Sequence, residues 1–257
     1  VLIGSKDNSF LMLQPEQVQR QNVEKIFKLN PPCLVFSKNV QVSPLFYEYA
    51  EQYGICVFQC NLRTTQASSK LYTYLQDMLA PRISVHGTLL DINGMGTLII
   101  GKSGIGKSET ALDLIKRGHQ LIADDLVEIM EKEPGNLIGS APEILRRYME
   151  IRGIGIVDVV TMFGAGAYRN RKNIQLVVEL QAWDNDKYYD RLGLETQKIK
   201  YFNTEITKIT IPVLPGRTVS LLVESAAMNE KLKKLGHFAA QEFIEKVDQR
   251  AKRGEEE

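Results

Sequence analysis

"GKSGIGKSET", residues 101–110, is the stretch that decides the class of this protein. It matches the phosphate-binding pattern G-x-x-x-x-G-K-[ST], follows the apolar run "TLII" and opens a helical pattern. In such a loop, backbone N–H groups cradle phosphate oxygens at the positive end of the helix, the lysine reaches the β and γ phosphates and the serine holds Mg²⁺. We therefore predict nucleotide or pyrophosphate binding rather than a simple glycine-rich turn. The predicted loop consists of Gly101, Lys102, Ser103, Gly104, Ile105, Gly106, Lys107 and Ser108.

Composition narrows the class of protein further. The 257 residues are 44% apolar and 25% charged, which is ordinary for a globular protein. The net charge of +1 gives no reason to expect nucleic acid or an anionic membrane as a partner. No apolar run approaches the roughly 20 residues of a membrane helix, and no signal peptide is visible. Three cysteines without a C-x-x-C spacing indicate reduced thiols and a cytoplasmic location.

Residues 1–79 are predicted to form a small α/β domain. Helical patterns at 15–28, 43–54 and 65–80 alternate with the strand-like runs "CLVFSK" and "ICVFQC". No cluster of catalytic residue types occurs in this part. Residues 80–257 are predicted to form the second domain, which contains the phosphate loop.

The second domain is predicted to contain a mixed sheet. Asn93-Gly94 separates the runs "TLLDI" and "TLII" and is a strong hairpin signal, because both residues tolerate positive φ. The strand before the phosphate loop then has an antiparallel neighbour, unlike the parallel arrangement of most nucleotide-binding α/β folds. Further predicted elements are a helix at 107–117, two strands in "QLIADDLVEIM", a short helix in "PEILRRYM", strands in "IQLVVELQAW" and "KITIPVLPGR", and helices at 218–235 and 237–252.

Several charged residues are candidates for chemistry. Asp124 and Asp125 follow a strand, where one carboxylate can attend the metal while the other accepts a proton; an acidic turn is the alternative. Taken alone, Glu150 and Arg152 are typical of a surface ion pair, and His86 of a structural histidine.

The remaining loop cations have less specific surroundings. His119 and His237 follow helix-ending glycines and are expected to cap or to be solvated, whereas Arg191 and Arg217 lie beside turn glycines and suit phosphate charge. The cluster in "GAGAYRNRKN" is expected to be a solvated basic loop rather than a docking patch. Its members are Arg169, Arg171 and Lys172.

Taken together, these segments closely resemble the bacterial HPr kinase/phosphorylase family. The shared motifs, in order, are "SVHG", "GKSGIGKSE", "LIADD", "EIRGIGIVDV", "GAGA", "YDRLGLE", "IPVLPGR" and "ESAAMN". They cover essentially all of residues 80–240. The first domain resembles the family more weakly and looks truncated. Thr218 is a departure, since the family is expected to carry Asn after the Gly-Arg pair.

The resemblance implies an α/β fold and a reversible enzyme. The fold would be a P-loop kinase domain with a mixed sheet like that of phosphoenolpyruvate carboxykinase, preceded by the smaller N-terminal domain. Such enzymes use ATP, and often pyrophosphate, to phosphorylate one serine of HPr, the phosphocarrier of the sugar phosphotransferase system. The same site removes the phosphate by phosphorolysis, in which inorganic phosphate attacks and pyrophosphate leaves. A homohexamer and a role in carbon catabolite repression are implied as well.

By motif, the resemblance also implies site roles. The catalytic residues would be His86, Lys107, Asp125 and Arg191, with Asp125 handling the proton. Ser108 and Glu150 would be the Mg²⁺ ligands. Residues 149–158 would serve both directions, and residues 212–217 chiefly dephosphorylation.

Three rival functions remain for the residues taken without the resemblance. They are a nucleotide switch or motor ATPase, a small-molecule kinase or carboxykinase, and a module that only binds nucleotide. A carboxylate pair near the γ-phosphate suits taking a proton from a hydroxyl better than orienting water. If HPr is the substrate, the C-terminal helices and the "GAGAYRNRKN" loop are candidate docking surfaces.

Overall fold

Contacts divide the chain into two units, Val1–Leu79 and Ala80–Glu257. The computed structural model describes residues 1–186, 197–214 and 216–254, with side chains as far as residue 250. Within these ranges no helix is both long and apolar enough to cross a membrane. The three cysteines are free thiols, as predicted.

The first unit is built on a three-stranded parallel sheet in the order β1-β2-β3. Its elements are β1 (Leu2–Ile3), α1 (Ser5–Met12), α2 (Glu16–Lys28), β2 (Cys33–Phe36), α3 (Pro44–Tyr53), β3 (Cys56–Gln59) and α4 (Thr64–Leu79). Ser43 accepts a hydrogen bond from the Leu45 N–H at the start of α3, and Gly54 ends the helix at φ 65°. Phe27, Phe36 and Phe46 are buried in its core. The predicted succession from α2 to α4 is confirmed.

The described part of the second unit contains three sheets. Its elements are β4 (Arg82–His86), β5 (Thr88–Ile92), β6 (Met95–Gly101), α5 (Lys107–Lys116), β7 (Gln120–Ala123), β8 (Leu126–Glu133), β9 (Asn136–Ser140), β10 (Tyr148–Ile151), β11 (Gly155–Asp158), α6 (Val159–Phe163), β12 (Arg171–Asn173), β13 (Leu176–Ala182), β14 (Gln197–Tyr201), β15 (Thr204–Val213), α7 (Val219–Lys234) and α8 (Ala239–Gly254). The strand orders are β14-β15-β13-β6-β5-β7, β12-β9-β8-β4 and β10-β11.

The six-stranded sheet is mixed, as predicted. Strand β6, which leads into the phosphate loop, is parallel to β13 and antiparallel to β5. The connection between β5 and β6 is the two-residue turn Asn93-Gly94, with φ of 51° and 90°. Positive φ at both positions gives the turn the twist that an antiparallel hairpin needs.

The side chains of each strand in this sheet alternate between two hydrophobic cores. On β5, Leu90 and Ile92 join the core that also contains α5 and α7 residues, whereas Leu89 joins the core shared with the four-stranded sheet. On β6, Ile99 and Leu98 divide in the same way. Because successive residues of a strand point to opposite faces, this sheet forms the middle layer, with helices on one face and the second sheet on the other.

One predicted helix is wrong. Residues 142–149, "PEILRRYM", contain only a short 3-10 helix at Glu143–Leu145, and strand β10 begins at Tyr148. Strand β10 pairs with β11 in an antiparallel hairpin, in a glycine-rich segment for which the sequence analysis predicts no element. The pairing between these two strands overrides the local helical pattern.

Two interpretations of loop cations are also wrong. Lys172 and Arg169 are not merely solvated, because Nζ and Nη1 lie 2.6 Å and 3.0 Å from Oδ2 of the buried Asp91 on β5. Burial alone would raise the pKa of Asp91. The hydrogen bonds from Lys172 and Arg169 and the charge of Lys172 outweigh burial, so the net pKa lies below its ordinary value. His119 is buried as well, with Nε2 at 3.2 Å from Oε1 of Glu224 on α7.

Candidate active site

The phosphate loop, residues 101–108, joins the end of β6 to the start of α5. Gly104 and Gly106 have φ of 77° and 103°, a conformation that side chains disfavour, and Gly106 immediately precedes the helix. The first N–H groups of a helix have no partner within it and carry its positive dipole end. The loop and helix therefore form an anion-binding end of the middle sheet.

Lys107 lies over this loop. Its Nζ donates hydrogen bonds to the carbonyl oxygens of Gly101, at 3.1 Å, and of Lys102, at 3.3 Å. The ammonium is thus held beside the loop backbone that is predicted to cradle the phosphates.

Asp124 lies at the end of β7 and is only 3% exposed. Its Oδ1 accepts hydrogen bonds from the hydroxyls of Thr88, at 2.7 Å, and Ser108, at 3.1 Å. Within the described part of the chain, Oδ2 is buried without a hydrogen-bond partner. Burial raises the pKa of Asp124, although the hydrogen bonds from Thr88 and Ser108 lower it in part. The carboxylate links the loop serine to the neighbouring strand and has one oxygen to spare.

Asp125 is the next residue and has the opposite surroundings. Its side chain is 71% exposed, and its backbone has φ 64°, which turns the chain between β7 and β8. Strand β4 ends at His86, where its partner on β8 is Leu126, and His86 Nδ1 lies 3.9 Å from Asp125 Oδ1. The structure thus brings two of the four predicted catalytic residues, His86 and Asp125, together at an open edge.

Glu150 enters the same cleft from the β10–β11 hairpin. The cleft has a volume of about 120 Å³, and Glu150 lines it together with Asp125, Lys107 and Ser108. The other lining residues are Ser103, Gly104, Gly106, Glu109 and Arg152. The predicted loop, the proton-handling carboxylate and both predicted metal ligands therefore meet in one place.

Arg152 lies over the loop, in contrast to the surface ion pair expected from its spacing. A Cβ atom added at Gly104 would lie 3.2 Å from Nη1 of Arg152. Glycine at this position therefore leaves room for a guanidinium directly above the phosphate-binding backbone. Arginine presents its donors in a planar fork that suits phosphate oxygens.

The residues fit Mg²⁺. The hydroxyl of Ser108, the spare Oδ2 of Asp124 and the carboxylate of Glu150 are all hard oxygen donors. Among the described residues, no three or more His, Cys, Asp or Glu side chains are arranged to hold a metal ion. Mg²⁺ is usually bound through one or two carboxylates plus substrate phosphates and water.

The structure places most of the predicted site residues at the cleft, but not all of them can be located. The residues of the phosphate loop lie at or around the cleft, and so do His86, Asp125 and Glu150. Arg191 lies outside the described residues, so its role stays a prediction. The sequence analysis does not anticipate Thr88 as a partner of Asp124. A threonine two residues after His86 gives no local signal, because the contact joins residues 36 positions apart.

Comparison with known proteins places this geometry in a family. Residues 1–75 match the domain described as HPr Serine kinase N terminus, and residues 77–247 match the HPr Serine kinase C-terminal domain. The HPr kinase/phosphorylase of Bacillus velezensis is 45% identical over 256 residues, covering 100% of this chain and 83% of the relative. That of Geobacillus kaustophilus is 48% identical over 242 residues, covering 94% and 78%.

A solved structure agrees in fold. The Hpr(Ser) kinase/phosphatase from Coxiella burnetii superposes with a TM-score of 0.57 at 36% identity, covering 63% of this chain and 98% of that chain. Both domain matches, the full-length relatives and the mixed sheet around the phosphate loop point the same way. The chain belongs to the HPr kinase/phosphorylase family.

Proposed function

We propose that this protein transfers the γ-phosphoryl group of ATP to a serine of HPr and removes it again by phosphorolysis. The observation that carries the proposal is the single cleft in which Lys107, Asp125 and Glu150 meet. A cation at the phosphates and an exposed carboxylate beside them are the groups that phosphoryl transfer to a hydroxyl requires. We also propose a regulatory role in carbon catabolite repression, which the resemblance to the family supports.

In the forward direction, the serine oxygen attacks the γ-phosphorus and the bond to the β-phosphate oxygen breaks. Asp125 accepts the hydroxyl proton, since its carboxylate is exposed and lines the cleft. His86 lies near Asp125 and helps to orient its carboxylate. Lys107 and the loop N–H groups stabilise charge on the phosphate oxygens. Ser108, Glu150 and Asp124 would hold Mg²⁺, which would supply positive charge against the phosphates.

In the reverse direction, inorganic phosphate attacks the phosphoserine phosphorus and pyrophosphate forms. The departing serine oxygen then needs a proton, which the protonated Asp125 returns. Microscopic reversibility places one carboxylate in both roles. By motif alone, we assign Arg191 a catalytic role and residues 212–217 a role chiefly in this direction.

We further propose that the protein assembles as a homohexamer. Support comes from large apolar side chains that the two C-terminal helices leave exposed. They are Leu221, Leu222, Met228 and Leu232 on α7, and Phe243 and Val247 on α8. Light scattering is expected to give a mass near six chains, and a clean monomer at micromolar concentration contradicts this part of the proposal.

The decisive experiment incubates the protein with γ-labelled ATP, Mg²⁺ and purified HPr. Label on HPr, and its release as labelled pyrophosphate when inorganic phosphate is added, are the expected results. Phosphate release without label on HPr would favour a nucleotide switch. Bound nucleotide with neither product would favour a binding module.

A further inference from the structure

The β10–β11 hairpin has two unlike faces. Met149 and Ile151 on β10 are buried, and Val157 packs against the same core as Met149. Residues alternate between the faces of a strand, so Glu150 belongs to the outer face, where it lines the cleft. Its direct partner across the hairpin is Ile156. Directly opposed residues lie on the same face with Cβ atoms roughly 5 Å apart.

The outer face is unusually apolar for a surface beside a charged cleft. Ile156 is 77% exposed, and Ile154 at the turn is 72% exposed. Neither side chain contributes to the core described above. Clustered exposed apolar side chains commonly mark interaction sites.

The size of the cleft indicates what the rim must do. A cleft of about 120 Å³ is far too small to enclose a folded protein. If the acceptor serine belongs to a folded protein, the residues around that serine must rest on the rim. The hairpin carries two cleft residues, Glu150 and Arg152, and its next residues along the chain are the apolar ones.

We propose that Ile154 and Ile156 form a docking platform for the part of the HPr surface that surrounds its acceptor serine. This inference rests on the proposed function. It differs from the surfaces that the sequence suggests, the C-terminal helices and the basic loop, since Lys172 and Arg169 of that loop are engaged with Asp91. Beside the reacting groups, the platform holds the serine at the cleft while Arg152 and Lys107 hold the phosphates.

The test uses Ile154→Ser, Ile156→Ser and the double variant, with Ile144→Ser as matched control. Ile144 is 83% exposed but lies on the 3-10 helix before the hairpin and does not line the cleft. We expect the double variant to raise KM for HPr at least about tenfold with less than about twofold change in ATP affinity. The control should change neither. Unchanged KM for HPr in the double variant overturns the inference.

A second measurement separates this inference from the proposed function. Fluorescence anisotropy follows binding of labelled HPr in which the acceptor serine is replaced by alanine, so no transfer is needed. If the wild type binds HPr without labelling it, the proposed function fails, and weaker binding by the double variant still supports the platform. If the wild type does not bind, the platform is overturned. Loss of the oligomer in the double variant, seen by light scattering, would instead make this face an interface between copies.

Discussion

The phosphate loop and the β10–β11 hairpin border the same cleft. Buried polar contacts support the loop, whereas the hairpin presents exposed apolar side chains. Behind the loop, Asp124 is 3% exposed and holds both Ser108 and Thr88. On the hairpin, Met149 and Ile151 bury the inner face. Its outer face carries Glu150 and two exposed isoleucines.

The difference corresponds to two tasks. Phosphate groups are the same in every turnover, so the donors that meet them gain from fixed positions. A protein substrate must dock and leave, which requires accessible surface around the cleft. We therefore expect substitutions on the loop side to abolish chemistry, and those on the hairpin to separate chemistry from protein recognition.

The largest effect is expected for Lys107→Ala. Removing the cation beside the loop leaves charge uncompensated where it accumulates in the transition state, so transfer should fall by about 10⁴-fold. Labelling of HPr from γ-labelled ATP measures the effect. Lys116→Ala, an exposed lysine at the end of the same helix, is the matched control and should stay near wild type. Near-normal labelling by Lys107→Ala removes that residue from the site.

Asp125→Asn should follow, with a loss of about 10³-fold in both directions, because an amide cannot take or return the proton. ATP affinity, measured by titration calorimetry, should remain close to wild type, since Asp125 is exposed at the edge of the cleft. Either direction proceeding at the wild-type rate would exclude the proton-transfer role. His86→Gln should be milder, since His86 acts through Asp125.

The sequence could predict the loop side of this comparison because its signals are local. The pattern at 101–108, the Asn93-Gly94 turn and the two aspartates after "QLIA" all depend on adjacent residues. The hairpin depends on pairing of Tyr148–Ile151 with Gly155–Asp158, and its glycines interrupt any strand pattern. Likewise, the partner of Lys172 is 81 residues away, so a basic loop looked solvated. Each of these wrong predictions concerns a segment whose structure depends on contacts between residues far apart in the sequence.

On the hairpin, Arg152→Gln should lower kcat by about 10²-fold, since a guanidinium above Gly104 can contact the transferring phosphoryl group. The affinity for ADP should change little, because ADP lacks that group. Arg146→Gln is the control, an exposed arginine of the preceding segment that does not line the cleft. Equal loss of ADP and ATP affinity would reassign Arg152 to general nucleotide binding, and Arg152→Lys should recover only part of kcat.

The smallest expected effects are on stability. Replacing Asp124 and replacing the hairpin residue Asp158 should change Tm in opposite directions. Burial raises the pKa of Asp124. Burial also raises that of Asp158, but bonds from Thr161 and Val160 and the charge of Arg147 outweigh it, so the net pKa is lowered. A raised pKa stabilises the fold below the unfolded value of about 3.9, and this contribution is lost as pH rises through the folded pKa. A lowered pKa stabilises the fold above about 3.9, and this contribution is lost as pH falls through the folded pKa.

At pH 7 without Mg²⁺, Asp124→Asn should therefore raise Tm and Asp158→Asn should lower it, each by on the order of a few degrees. Asparagine keeps the side-chain oxygen that caps α6 at Asp158, but it loses Oδ2, which accepts a hydrogen bond from the Thr161 hydroxyl and pairs with Arg147, so this variant loses both the charge and that hydrogen bond. Fluorescence of Trp183, the single tryptophan, reports unfolding of the second unit. The Asp124 difference should shrink as pH falls through the raised folded pKa of Asp124, whereas the Asp158 difference should shrink only below about pH 3.9. If Asp124→Asn instead lowers Tm at pH 7, the buried carboxylate stabilises the fold. The explanation that the protein keeps this charge at a cost to stability, because the site needs it, would then be wrong.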